Sequence, residues 1–291
     1  MTTIIIDAHC HAWRHWPYQP AVPDPLSRAR AERLLWEMDQ AGVAKAVLIC
    51  AGIDHNPDNS EYNSACAQSS GGRLLAFPDV DCRWQSSHHT PGADQRLRAV
   101  VQHLNPIGFT HYLHEDHDPS WLLSPDGLAF FATASELRLI VSLACGTRQM
   151  PTVTALANRF ADTPFLIRHL GRVKAAPMDD DGLRLLLAAA SSPNIHVKLS
   201  GFGYALEAGW DFPCTPTRPL VQALYEHFGA ARLCWGSDYP VSQRYMTYRQ
   251  TLDIVRTHCS SFIDAPEMQL VLGGNMQAML AERKLPADTP S

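Results

Sequence analysis

Short apolar runs alternate along this chain with segments whose apolar residues recur every three to four positions. The runs at 3–9, 45–51, 74–80, 107–112, 139–145, 164–169, 194–200 and 232–238 read as strands. Brief apolar runs of this kind, bounded by turn residues, suit buried strands. Helical spacing fills 27–41, 94–104, 151–161, 181–190, 218–228 and 246–257, and a last helix is expected within 267–282. Eight strands separated by helices imply an α/β protein, either a closed parallel barrel or an open doubly wound sheet.

Loop lengths separate these two. Connections entering the strands are short, as at 41–44, 70–73, 105–106, 162–163 and 192–193. Connections leaving them, at 12–25, 81–93, 114–125 and 201–219, are long and rich in Pro, Trp and His. Such one-sided elaboration is expected of a (β/α)8 TIM barrel, whose site is built from loops at the C-terminal strand ends. No shift in composition and no internal repeat divides the 291 residues, so one domain over 1–291 is expected, with a frayed tail at 285–291.

Composition narrows the partners. Hydrophobic residues make up 46% and charged residues 18%, an ordinary globular balance. A net charge of −5 without any basic run argues against nucleic acid and anionic membranes. No apolar stretch is long enough to span a bilayer, and the N-terminus lacks a secretory pattern. The eight cysteines form no C-x-x-C pair, and Cys50, Cys145 and Cys234 lie in apolar runs. This usage fits a reduced, cytoplasmic protein better than a disulfide framework. The expected partner is a small-molecule substrate, and a homo-oligomer is compatible with the sequence.

The chemistry-bearing residues cluster at strand ends. The run Ile4-Ile5-Ile6 leads into Asp7-Ala8-His9-Cys10-His11. Strand alternation predicts that Asp7, His9 and His11 share one face, where the two imidazoles converge on a metal or a substrate. Burying that much polarity is unfavourable by several kcal/mol unless it is paired or ligated. The sixth strand ends at His169 and the eighth at Asp238. In the seventh, Ile195, Val197 and Leu199 form the outer face, so His196, Lys198 and Ser200 should point inward. Each residue has a plainer reading. His169 suits a hydrogen-bonded core histidine, Lys198 an inward charge paired with Asp7, Ser200 a strand end, and Asp238 a helix cap. Together they carry more weight, because strands one, six, seven and eight are neighbours around a closed barrel.

These motifs identify a resemblance. The segments Ile6-Asp7-Ala8-His9-Cys10-His11-Ala12-Trp13, His169-Leu170-Gly171-Arg172, Val197-Lys198-Leu199-Ser200-Gly201 and Trp235-Gly236-Ser237-Asp238-Tyr239-Pro240 resemble the amidohydrolase superfamily. The likeness lies in its amidohydrolase-related branch, among sugar lactonases and 2-pyrone-4,6-dicarboxylate lactonases. His114-Glu115-Asp116 and Pro119-Ser120-Trp121-Leu122-Leu123 add to it. The resemblance implies an amidohydrolase-like TIM barrel with His9, His11, His169 and Asp238 as catalytic residues and as ligands where one divalent, zinc-type metal is present. Operation without metal stays open at this point. Asp238 would be the general base. Lys198, Ser200, Tyr112, Arg172 and Trp13 are expected to contact substrate.

Departures from the family pattern steer the expected chemistry. The fourth strand has no metal-bridging lysine, which argues against two metals. The fifth ends Ser142-Leu143-Ala144-Cys145-Gly146 without the histidine of decarboxylase-like relatives. Thr110 stands where the lactonase group often has an arginine, leaving Arg83, Arg148 and Arg172 as loop substitutes. Lactone hydrolysis is therefore expected, with metal-dependent decarboxylation and a non-catalytic binding barrel as alternatives. No G-x-S-x-G elbow or nucleotide-binding glycine motif is present. Trp13, Trp16, Trp84, Trp121 and Trp210 suggest an aromatic-lined pocket.

Overall fold

A computed structural model describes residues 4–207 and 212–283; Trp210 and the tail at 285–291 lie outside the described residues. Eight parallel strands form the frame: β1 (Ile6–Cys10), β2 (Lys45–Ile49), β3 (Leu74–Phe77), β4 (Gly108–Tyr112), β5 (Ile140–Ala144), β6 (Phe165–Ile167), β7 (Ile195–Leu199) and β8 (Leu233–Trp235). They pair in chain order within two arcs, β1 to β3 and β4 to β8. Single ladder contacts close the gaps. Thr110 bonds Pro78 and Val80 between β3 and β4, while Asp238 N–H donates to the His9 carbonyl at 2.8 Å between β8 and β1. The result is the expected (β/α)8 barrel.

The helices between strands are α1 (Ala31–Ala41), α2 (Asn59–Ser69), α3 (Ala93–Leu104), α4 (Pro125–Glu136), α5 (Met150–Arg159), α6 (Asp180–Ala188) and α7 (Arg218–Phe228). After β8 come α8 (Tyr248–Asp253), α9 (Ala265–Gln269) and α10 (Asn275–Arg283). Periodicity alone did not single out α2 and α4. The first is Asn- and Ser-rich with little apolar stripe, and the second contains Gly127 and two adjacent phenylalanines. The predicted helices at 246–257 and 267–282 are each interrupted by a wider π-type turn, at Ile254–His258 and Leu270–Gly274.

Two apolar layers hold this frame. Outward strand residues such as Phe109, Val141, Ile167 and Val197 pack against the helices, and inward ones such as Ile6, Ile49, Phe77, Ile140 and Leu166 fill the barrel. Met276, Met279 and Leu280 of α10 join the interior cluster. A third cluster, with Trp13, Trp16, Tyr18, Trp84 and Tyr204, lies in the loops beyond the C-terminal strand ends. No helix among the described residues is long and apolar enough to cross a membrane. Leu166 is fully buried in the interior. Leu166→Ala should lower stability by about 2–5 kcal/mol in urea unfolding, and a loss below about 1 kcal/mol would show that the interior is not close-packed there.

Candidate active site

The first strand is not a regular ribbon. Its register against β2 shifts between Asp7 and Cys10. Ile6 and Ala8 face the interior, and after the shift His9 and His11 join the donor cluster. Such a bulge reverses the alternation, so the expectation that Asp7 shares the histidine face is corrected. Asp7 instead lies at the β8 junction. Its carboxylate accepts bonds from the Ser237 amide (2.9 Å) and hydroxyl (2.5 Å), the His9 amide (3.0 Å) and the Tyr248 hydroxyl (3.0 Å). Burial raises its pKa to about 6 despite these four donors.

Four polar groups converge inside the mouth of the barrel. His9 Nε2 lies 3.3 Å from His11 Nε2. Asp238 Oδ1 lies 3.6 Å from His9 Nε2, 3.4 Å from His11 Nε2 and 3.7 Å from His169 Nε2. All four residues are buried. Both Asp238 (φ +55°) and His169 (φ +50°) adopt the left-handed backbone region, which is uncommon outside glycine. Two glycines make room: a Cβ on Gly236 would come within 2.8 Å of the His9 Cβ, and one on Gly201 within 2.6 Å of His169 Nδ1.

Backing groups orient the rings. His11 Nδ1–H donates to the Ile49 carbonyl at 2.6 Å, leaving Nε2 as a lone-pair donor. His169 Nδ1 meets the Ser200 hydroxyl at 3.0 Å. Lys198 Nζ contacts Ser142 Oγ at 2.8 Å and His9 Nδ1 at 3.3 Å. Trp13 stacks on His11 with centroids 4.8 Å apart and donates to the Ala51 carbonyl. Lys198, Ser200 and Trp13, expected against the substrate, are fully buried and each touches one of the three imidazoles. The alternative pairing of Lys198 with Asp7 is replaced by its bonds to Ser142 and His9. Asp238 does not cap a helix with its side chain; the short helix beyond it starts after Pro240.

Electrostatics follow from burial. Desolvation, then the charge of Lys198, holds His9 well below its ordinary pKa. Desolvation also lowers His169, although Asp238 opposes this. For Asp238 itself, burial disfavours the charge, but His169 and His11 outweigh it and the pKa falls below the usual carboxylate value. Burial lowers Lys198 to about 7. The second carboxylate oxygen, Asp238 Oδ2, is buried without a well-formed hydrogen bond among the described residues, while the Tyr204 hydroxyl beside the carboxylate helps to hold its charge.

The donor set fits a metal. A tetrahedral ion with bonds near 2.05 Å spaces its ligand atoms about 3.3 Å apart, and the separations here run from 3.3 to 3.6 Å among His9, His11 and Asp238. These three form a compact buried ligand group. His169 adjoins its carboxylate.

Arg168 and Glu115 escaped the sequence reading as site residues. Arg168 is buried, lies over the Tyr112 ring at 4.8 Å and pairs with Glu115. Arg172 bonds the other Glu115 oxygen at 3.3 Å and covers Tyr204 at 5.0 Å. Alternation from inward Leu166 would have found Arg168; Glu115 sits in a loop and carried no such signal. Of the other proposed arginines, Arg83 and Arg148 are exposed. His196 faces a cavity of about 690 Å³ with Asn194, Arg138 and Asn275, which includes none of the converged donors.

The chain belongs to the amidohydrolase family, matching it over residues 6–280. It is 32% identical over 288 residues to an L-fucono-1,5-lactonase of Burkholderia ambifaria, covering 94% of each chain. Among solved structures it resembles an amidohydrolase from Burkholderia multivorans with bound zinc, with TM-score 0.77 and 22% identity over 97% of this chain and 100% of that one. It also resembles a probable 2-pyrone-4,6-dicarboxylic acid hydrolase from Acinetobacter baumannii, with TM-score 0.73 and 20% identity over 95% and 99%. The structural likenesses speak to the fold alone.

The buried imidazoles set the acid response. His9 and His169 are held well below their ordinary pKa, and burial takes His111 and His196 to about 4. Below pH 6.5 the unfolded chain therefore binds more protons than the folded one, and stability falls as pH drops towards 4. Asp7 acts oppositely, since with a folded pKa near 6 its own contribution falls as pH rises from about 4 to 6. Four imidazoles outweigh one carboxyl, so the urea midpoint should be lower at pH 4.5 than at pH 7. An unchanged or higher midpoint would contradict neutral buried rings.

Proposed function

We propose that this chain is a lactonase that opens a neutral sugar-acid lactone, a 1,5-lactone of the class named for its Burkholderia relatives. The observation that carries the reading is Asp238. Its carboxylate is buried and kept charged, three imidazoles surround one oxygen, and the other oxygen has no well-formed bond among the described residues, with the Tyr204 hydroxyl as its neighbour. That oxygen is a base positioned to accept a proton.

Hydrolysis then proceeds as follows. Water attacks the lactone carbonyl carbon while Asp238 Oδ2 takes its proton. The carbonyl electrons move to oxygen, which lies beside His9 Nε2, the ring atom that carries a proton when Lys198 donates to Nδ1. Collapse breaks the bond to the ring oxygen, and the proton held on Asp238 passes to that oxygen, giving the hydroxy acid. His169, fixed by Ser200, orients the water or the ring. A zinc-type ion held by His9, His11 and Asp238 would supply Lewis-acid polarisation of the carbonyl. Lys198 governs the state of His9. When its ammonium donates to Nδ1, the imidazole proton lies on Nε2 and the ring presents a donor to the oxyanion; when the amine accepts from Nδ1, Nε2 presents a lone pair.

Glu115 bears on the substrate's charge. It pairs with both Arg168 and Arg172, so part of their positive charge is already balanced within the site, which favours a neutral substrate. Arg168 Nε–H is buried without a partner among the described residues, and a single hydroxyl oxygen satisfies it. Tyr18, Tyr112 and Tyr204 add apolar faces near Asp238 that suit a sugar ring. The decarboxylase alternative lacks its histidine at the end of β5, where Cys145 is packed in the outer core. One barrel supplies every group named, and we take the chain to act as a single catalytic domain on a small molecule in a reducing compartment such as the cytoplasm.

Proton release from neutral sugar 1,5-lactones and from carboxylated lactones tests this directly. The neutral class should be favoured at least about tenfold in kcat/KM, and Asp238→Asn should lose about 10²–10⁴-fold in kcat with its melting transition intact. Preference for dicarboxylates would overturn the substrate class, and near-normal turnover in Asp238→Asn would overturn the base.

A further inference from the structure

A second group of histidines lies on the other side of the barrel wall. Adjacent strand residues point to opposite faces. Tyr112 enters the barrel interior, while His111 leaves it and packs against Phe130 and Phe131 of α4. The loop after β3 folds His88 and His89 over that ring. His89 Nε2 lies 3.4 Å from His111 Nε2, and the ring centroids are 5.5 Å apart. His9 and His11 show similar separations, at 3.3 Å and 5.0 Å, but their rings meet edge-on at 85°, whereas His89 and His111 lie at 30°.

The anchoring is repeated as well. His11 is held through Nδ1 by the Ile49 carbonyl of the neighbouring strand, and His111 is held through Nδ1 by the Val80 carbonyl at 3.0 Å. His88 is held the same way by the Asp81 carbonyl at 2.6 Å. A ring whose Nδ1–H is bound to a backbone carbonyl keeps its Nε2 lone pair free and aimed, which is the usual setting of a metal-ligating histidine. His88 lies 3.6 Å from His89 and 5.8 Å from His111, centroid to centroid.

The loop is built to hold this pose. Asp81 accepts the His89 amide at 2.8 Å and is itself bound by Arg96 at 2.6 Å. The His89 ring stacks on Trp121 at 3.9 Å and 7°. Burial, then the neighbouring imidazoles, lowers His89 to about 3, and burial lowers His111 to about 4, so both are uncharged near neutrality. A cavity of about 100 Å³ is bordered by His88, His89, His114 and His117, so it reaches the pair from the His89 side while His111 stays buried behind it.

We propose that His89 and His111, with His88 beside them, form a second binding site for a borderline divalent transition ion of the zinc class, outside β4 and separate from the catalytic centre. Imidazole ligands select zinc-, nickel- or copper-type ions over magnesium and calcium; the Asp81 carboxylate, which groups with His88 and His89, is taken up by the His89 amide and Arg96. Water completes the coordination. The ion ties the loop at 81–93, which also carries Trp84 of the aromatic cluster, to the barrel wall. The competing account is a plain hydrogen bond between two neutral rings, which binds no metal.

Zinc retained by the full chain, measured by elemental analysis after equilibrium dialysis against micromolar Zn²⁺, decides between them. The wild type should hold one equivalent more than His89→Asn and one more than His111→Gln. This difference does not depend on whether the catalytic site is loaded. His89 has φ +58°, and asparagine tolerates that region, so His89→Asn should melt cooperatively and keep lactone turnover within about threefold. Equal zinc content in the wild type and both variants would overturn the proposal. Loss of all zinc together with turnover in His89→Asn would also overturn it, because the two sites would not be separate.

Discussion

The buried carboxylate of Asp7 is the interaction on which the candidate site depends. The barrel closes between β8 and β1 with little ladder of its own, and Asp7 gathers four donors there from three separate parts of the chain. A buried carboxylate is tolerated only where its oxygens are well bonded, so its presence favours one arrangement of the seam. With Ser237 and the His9 amide fixed on the same group, the Asp238 amide meets the His9 carbonyl and the His11 amide meets the Tyr239 carbonyl. The Asp238 carboxylate thereby faces the paired imidazoles across a junction more than two hundred residues apart in sequence.

Everything around that junction restrains direction rather than adding reactive groups. Carbonyls, hydroxyls and the Lys198 amine hold the far sides of the rings, and two glycines let the backbone approach them. The left-handed conformations of His169 and Asp238 are locally unfavourable, and surrounding contacts hold them in place. Asp238 is itself buried, and low local polarity strengthens each electrostatic contact there. The same logic, a ring pinned through Nδ1 and a lone pair aimed at a neighbour, recurs outside β4.

Much of this was legible from sequence. Apolar runs located all eight strands, and the long exit loops indicated the barrel and the end that carries chemistry. His9, His11, His169 and Asp238 stood out because polar residues directly follow buried strands. The phase of Asp7 was not legible, because a bulge leaves no mark in a hydrophobic pattern. Nor were the partners of Lys198, since Ser142 and His9 reach it only through barrel closure. Arg168 was hidden by the more conspicuous His169 beside it. His88 and His89 lie in one loop and His111 at an outward strand position, and only the fold assembles them.

The central claim is that Asp7 positions the catalytic groups without touching substrate. Steady-state kinetics of Asp7→Asn on a lactone that the wild type opens tests it most directly. The amide cannot accept all four donors, so kcat should fall by about 10²-fold or more while KM stays within a few fold and unfolding stays cooperative. Unchanged kcat in a cooperatively folded Asp7→Asn protein would contradict the account.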